Sequence, residues 1–181
     1  MNLKEYISSE KSKTFAAKTN EIQELVNHTL AILETFGIPI NSTSRRLERL
    51  AIVFLAVSDV KNISGFAKAK DLKTDNYALK TREIIEYVNK YFQENISSGS
   101  YDDIRRKDLK YLVAANIVLQ SSPKSATNDS TRGYGLNPIY AKVLRKYPNK
   151  NWFEKVKGEM ANIQTLAEQL RREREIKKIP V

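Results

Sequence analysis

Apolar residues recur at helical spacing along most of the chain. From Thr19 to Phe36, Ile22, Leu25, Val26, Leu30 and Leu33 share one face, and Gly37 with Pro39 supplies a stop. Asn41, Ser42, Thr43 and Ser44 then offer N-caps ahead of Leu47, Leu50, Ala51, Phe54 and Leu55, which predicts a central core helix. Val60 to Lys80 is polar and ambiguous, with a short helix expected around Gly65 to Lys70 and a loop through Asp71 to Asn76. Thr81 to Phe92 places Ile84, Ile85, Val88 and Phe92 on one side, with Thr81 as the expected cap and Glu83 in the first turn. Ser97-Ser98-Gly99-Ser100 is turn chemistry, and Ser100 followed by Asp103 resembles a capping box for a second helix, Tyr101 to about Ala115.

Two helices joined by a short glycine-containing turn predict a helix-turn-helix. Behind it, Ile117 to Gln120 reads as a strand, Ser121 to Thr131 as a polar loop and Arg132 to Leu136 as the return strand, so a wing is expected directly after the second helix. Asn151 to Ile176 carries Trp152, Phe153, Val156, Met160, Ile163, Leu166, Ala167 and Leu170 at helical spacing into a charged run. The expected fold is therefore mainly α, a helical bundle containing a winged helix-turn-helix with a small β-hairpin wing. Three parts are expected: a helical extension over 1–43, the winged unit over 44–150, and a C-terminal helix and linker over 151–181.

On a wheel of the second helix, Tyr101, Ile104, Leu112 and Ala115 form the inward arc, and Arg106, Lys107 and Lys110 point outward. Such cations reach phosphates or the acceptor edge of guanine. Arg105 falls within the inward arc, where it is expected to pair with Asp108. The wing loop adds Lys124, Ser125, Thr127, Asn128 and Arg132, side chains suited to backbone contacts.

Charge sharpens this picture. The 181 residues carry 31 Lys+Arg against 21 Asp+Glu, a net charge of +10 that favours a polyanionic partner, with double-stranded DNA ahead of a membrane. Ten of the cations and only four of the acids lie between Ser97 and Lys150, so the excess coincides with the motif. A hydrophobic content of 41% suffices for a core, and the absence of cysteine removes disulfide scaffolds, thiolate zinc sites and thiol nucleophiles and fits a reducing, cytoplasmic setting. No leader peptide or membrane-spanning stretch is expected from the apolar pattern.

The chemical inventory is thin. His28 is the single histidine, on an amphipathic helix, and reads as a packing or surface residue. No G-x-S-x-G and no phosphate-cradling glycine loop occurs. Asp71-Leu72-Lys73, Asp108-Leu109-Lys110 and Glu175-Ile176-Lys177 match the acid-x-Lys half of a nuclease site, a pattern that arises by chance in a chain 29% charged. No catalytic and no metal-binding residue is expected here, and no cofactor.

The stretch NISSGSYDDIRRKDLKYLVAANIVLQSSPKSATNDSTRGYGL, Asn95 to Leu136, resembles the N-terminal region of type II restriction endonucleases of the BsuBI/PstI family. RRLERLAIVFLAV from Arg45 and LKTREIIEYVNKYF from Leu79 are similar to the same region, so the resemblance runs from about Ser44 to Pro148. It implies a helix-turn-helix domain ahead of a magnesium-binding nuclease domain of the PD-(D/E)xK type, which is expected to begin about where this chain stops. It further implies a palindromic hexamer target, CTGCAG in the founding members, read by a homodimer. The binding positions carried over are Ser100, Arg105, Arg106, Lys107, Lys110, Thr127, Asn128 and Arg132, with Lys124 added from the wing loop. Two other classes stay open: a winged helix that joins proteins or dimerises, and a stand-alone transcriptional regulator. Steep salt dependence of binding would separate DNA from an apolar protein contact.

Overall fold

The computed structural model of the protein describes residues 3–121 and 133–177. Helix α1 (Lys13–Ala16) is a single turn, and α2 (Asn20–Thr35) starts where the Thr19 side chain accepts from the Ile22 amide. Gly37, at φ 95°, closes α2, and the Ile38 amide reaches back to Leu33 O at 3.0 Å. Thr43 caps α3 (Ser44–Ser58) in the same manner as Thr19. From Leu50 to Ser58 every residue of α3 is buried, so this helix is the axis around which the others pack. The buried Thr29 and Ser58 hydroxyls donate to the carbonyls of Leu25 and Phe54 four residues back, at 2.8 and 2.9 Å, which satisfies them inside an apolar interior.

The expected short helix is a 3-10 turn at Ile63–Lys68. Helix α4 (Thr81–Tyr91) buries Ile84, Ile85 and Val88. Thr81 is its first helical residue rather than its cap; Lys80 holds the cap position, and the Glu83 carboxylate accepts from the Lys80 amide at 2.8 Å. The turn after α4 is pinned by Asn89, whose side chain accepts from the Ile96 amide and donates to its carbonyl, at 2.8 and 3.0 Å. Ser97, not Ser100, then caps the chain: its hydroxyl accepts from the Gly99 amide and opens a 3-10 turn, Ser98–Ser100, that runs directly into the second helix.

That second helix is three pieces on one axis: α5 (Tyr101–Asp103), a π-helical turn (Ile104–Asp108) and α6 (Lys110–Ala114). The Leu109 amide bonds to Ile104 O five residues back at 2.9 Å, so one residue is inserted relative to an α-helix. Asn116, at φ 62°, ends α6, with the Ile117 amide on Leu112 O at 3.0 Å.

Strands β1 (Val118–Gln120) and β2 (Tyr134–Leu136) pair antiparallel, Val118 opposite Leu136 and Gln120 opposite Tyr134. Leu79, just ahead of α4, exchanges two backbone bonds with Tyr134 at 2.9 and 2.8 Å and so lies on the outer edge of β2. Gly135 permits this: a Cβ there would stand 2.5 Å from Tyr77 O. The hairpin after the helix-turn-helix is the expected wing base.

Helix α7 (Pro138–Leu144) is capped by Asn137, a fully buried residue whose amide side chain also donates to Asn116 O and Ala167 O, at 2.8 and 3.2 Å. One side chain thereby ties α6, the wing base and α8 (Trp152–Lys177) together. Trp152 seats α8: its indole N–H donates to Val143 O at 3.0 Å, and its ring packs edge-on against Tyr147 and tilted against Phe36. A single apolar cluster runs from Ile7 to Ala167 with α3 at its centre. Among the described residues, no helix is long and apolar enough to cross a membrane.

Candidate nucleic-acid interface

The second helix rests on α3 and α4 through Ile104, Leu109 and Leu112, all fully buried. Asp108 lies among them, 2% exposed. It is held from α3: Arg49 places Nε and Nη2 3.1 and 2.9 Å from Oδ2, and Arg46 Nη1 is 3.4 Å from Oδ1. Burial pushes the Asp108 carboxyl above its ordinary value, against the pull of these two guanidinium groups. The expected Arg105–Asp108 pair is therefore absent. The π turn sets the residues that follow it back by about one position relative to a regular wheel, bringing Leu109 inward beside Asp108. Arg105 turns instead toward Asp102, with Nη2 2.6 Å from Oδ1.

The inward arc is corrected in a second place. Tyr101 is 43% exposed, and its ring lies under the Arg82 guanidinium from α4, 4.8 Å from the ring centroid. Ala115 is only partly buried.

The outward face carries the expected cations. Arg106 and Lys107 are 67% and 51% exposed at their side chains, and Lys110 is exposed beside Tyr111, itself 46% exposed. Arg106 also reaches Asp102, Nη1 to Oδ2 at 3.3 Å, while Lys107 lies 3.7 Å from Asp103. The hydrogen bonds from Arg105 and Arg106 hold the Asp102 carboxyl below the usual carboxylate range. Ser100 is half-buried at the start of the helix. Thus Ser100, Arg105, Arg106, Lys107 and Lys110 lie along one helix. Lys124, Ser125, Thr127, Asn128 and Arg132 lie outside the described residues.

Arg82, Tyr101, Tyr111 and Asp102 belong to the same surface and were not among the expected contact residues. The adjacency of Tyr101 and Asp102 to the basic run was the available signal. Arg82 carried none, because its contact depends on how α4 meets α5.

The acid-x-Lys triplets have other partners. Asp71 accepts from the Lys73 and Thr74 amides and from Arg145 at 2.8 Å. Asp108 is engaged by Arg49, and Glu175 by Arg171 at 2.7 Å. Among the described residues no group of three or more His, Asp or Glu is placed to hold a metal ion. His28 is half-buried and shares a short hydrogen bond with the Tyr147 hydroxyl, with burial lowering its pKa.

Residues 23–168 match the family model described as the BsuBI/PstI restriction endonuclease HTH domain. The type II restriction enzyme BsuBI of Bacillus subtilis is 22% identical over 165 residues, which cover 90% of this chain and 50% of that enzyme. The solved structure of the SdaI restriction endonuclease superposes with a TM-score of 0.63 at 23% identity, over 84% of this chain and 48% of that one, and so shares the fold. The chain thus spans about half the length of each. With the helix-turn-helix and wing base in place and four-fifths of the sequence matched by the family, the chain belongs to the BsuBI/PstI restriction endonuclease HTH domain family.

Proposed function

We propose that this chain is the double-stranded-DNA-binding unit of a BsuBI/PstI-like type II restriction endonuclease and contributes to target-site recognition. The observation that carries the reading is the outer face of the second helix: Arg106, Lys107 and Lys110 project from a rod anchored on α3 and α4 and flanked by the wing base. The helix lies in the major groove, and the wing loop, with Lys124, Thr127, Asn128 and Arg132, follows the backbone. Ser100 and Arg105 contact DNA at the N-terminal end of the helix. A cytoplasmic setting goes with this role.

Magnesium, which the resemblance assigns to a nuclease domain, finds no fitting donor set among the described residues, since Asp71 and Asp108 are engaged by Arg145 and Arg49. The chain is expected to bind duplex DNA without cutting it. Magnesium-dependent cleavage by a clean preparation, lost on Glu175→Gln, overturns that expectation.

The test is a titration onto a labelled duplex at several salt concentrations. Affinity should fall linearly in log-log form, and Lys110→Ala should lower the slope by about 0.9 while leaving the melting temperature unchanged. Salt-independent binding, or none, refutes the proposal. In a second reading the winged helix joins proteins or a second copy, with Leu166 and Ile176 of α8, 41% and 66% exposed, as apolar points of contact. Salt-insensitive self-association would mark it.

A further inference from the structure

We propose that Asp102 is a specificity-determining residue of the second helix, one that restrains Arg105 and Arg106 from indiscriminate phosphate contact and itself accepts from a base in the major groove. The inference rests on the DNA-binding reading above.

Asp102 divides its carboxylate between two arginines: Oδ1 takes Arg105 at 2.6 Å and Oδ2 takes Arg106 at 3.3 Å. All three side chains are solvent-open, at 45%, 32% and 67%, so these pairs contribute little to folding. Their effect falls on the interface. An acid in the first turn of a groove-docked helix sits where base edges are read, and there it repels the phosphates. A non-cognate phosphate must displace a carboxylate already bound to the arginine.

A G·C pair presents no such conflict. Guanine O6 and N7 accept from an arginine, and cytosine N4 donates to a carboxylate, so one Asp–Arg unit is satisfied by one base pair. Binding in the wrong place leaves Asp102 facing DNA with no donor, which is a cost imposed on the competitor. Asp103 provides the contrast within the same turn: the described residues pair it with Lys107, at 3.7 Å, and with no arginine.

The experiment uses the full chain and a pool of duplexes randomised over a central segment. The parental protein, Asp102→Asn and Asp103→Asn are compared for bulk affinity, salt slope and enriched sequences, with melting curves confirming that each is folded. The parental chain should enrich G·C at one position by about tenfold. Asp102→Asn should bind the unselected pool more tightly, steepen the salt slope by about 0.9 for each arginine released to a phosphate, and lose that preference. Asp103→Asn should keep it. Retention of the preference by Asp102→Asn, its equal loss in Asp103→Asn, or a parental chain that binds duplexes without base preference each overturns the proposal. A parental chain that binds no duplex refutes instead the DNA-binding reading on which it stands.

Discussion

Asp108 and Arg105 show how one residue's surroundings reverse its expected role. A wheel turning at a constant 100° per residue sets Arg105 beside Asp108, yet the carboxylate is captured by Arg49, 59 positions earlier on α3. Both side chains of that pair are secluded, at 14% and 1% exposure, so removing Arg49 leaves the buried Asp108 with the longer contact to the more exposed Arg46, at 3.4 Å. Arg49→Ala should therefore destabilise the protein by about 3 kcal/mol in denaturant titration. Arg105→Ala, whose partner Asp102 is solvent-exposed, should leave the stability within about 0.5 kcal/mol of the parental value. Equal losses in both variants would show that Asp108 depends on Arg105 after all.

At the scale of elements, two contacts set how the wing base and the last helix are attached. Gly135 in β2 lies against Tyr77 O and the Leu72 side chain, so Gly135→Ala must push the 72–79 segment away from the strand, at about 2 kcal/mol. Loss of amide protection at Leu79 and Tyr134, with α2 unaffected, is the expected signature. Trp152→Ala removes the bond to Val143 O and the edge contact to Tyr147, and exchange should accelerate along α8 more than along α3. Uniform acceleration would show that Trp152 supports the whole core rather than the seating of α8. These elements differ in how far the sequence announced them. Thr19, Thr43 and Gly37 bound α2 and α3 through bonds to residues three to five positions away, so local pattern sufficed. The basic face of the second helix was legible for the same reason. The π turn was not, because Ile104 and Leu112 share one side of an unbroken helix, and Leu109, which falls off that side, reads there as an ordinary exposed leucine. Nor was the bridge from Leu79 to Tyr134, which depends on where a polar, pattern-free segment is folded back.

Across the whole molecule, carboxylates tie segments far apart in sequence. Glu94 accepts from Lys18 at 2.6 Å and from both Nη atoms of Arg45 at 2.9 Å, spanning 76 and 49 positions, and Glu48 shares both cations. Asp71 and Arg145 close a span of 74. Burial alone would push the Glu94 and Asp71 carboxyls up, but the hydrogen bonds from Arg45 and Lys18, and from Arg145, hold both below their ordinary values. A depressed folded pKa means the unfolded chain binds protons first, so this stabilisation is complete above the unfolded value near 4.5 for Glu94 and is lost as pH falls through the folded one. Asp108 runs the other way, its raised pKa favouring the fold as its proton is taken up. Stability should consequently begin to fall as pH drops below about 6.5, where the unfolded chain protonates His28 ahead of the folded one, and fall further below about 5 as Glu94 and Asp71 take up protons. Glu94→Gln keeps the side chain's shape but removes the charge that Lys18 and Arg45 share, and should lower stability at pH 7 by about 2 kcal/mol. Because the variant has no Glu94 proton to gain, its acid limb should also be shallower than the parental one. Parallel limbs in the two proteins, measured by denaturant titration from about pH 7 to about pH 3, would show that the acid sensitivity of the fold resides elsewhere.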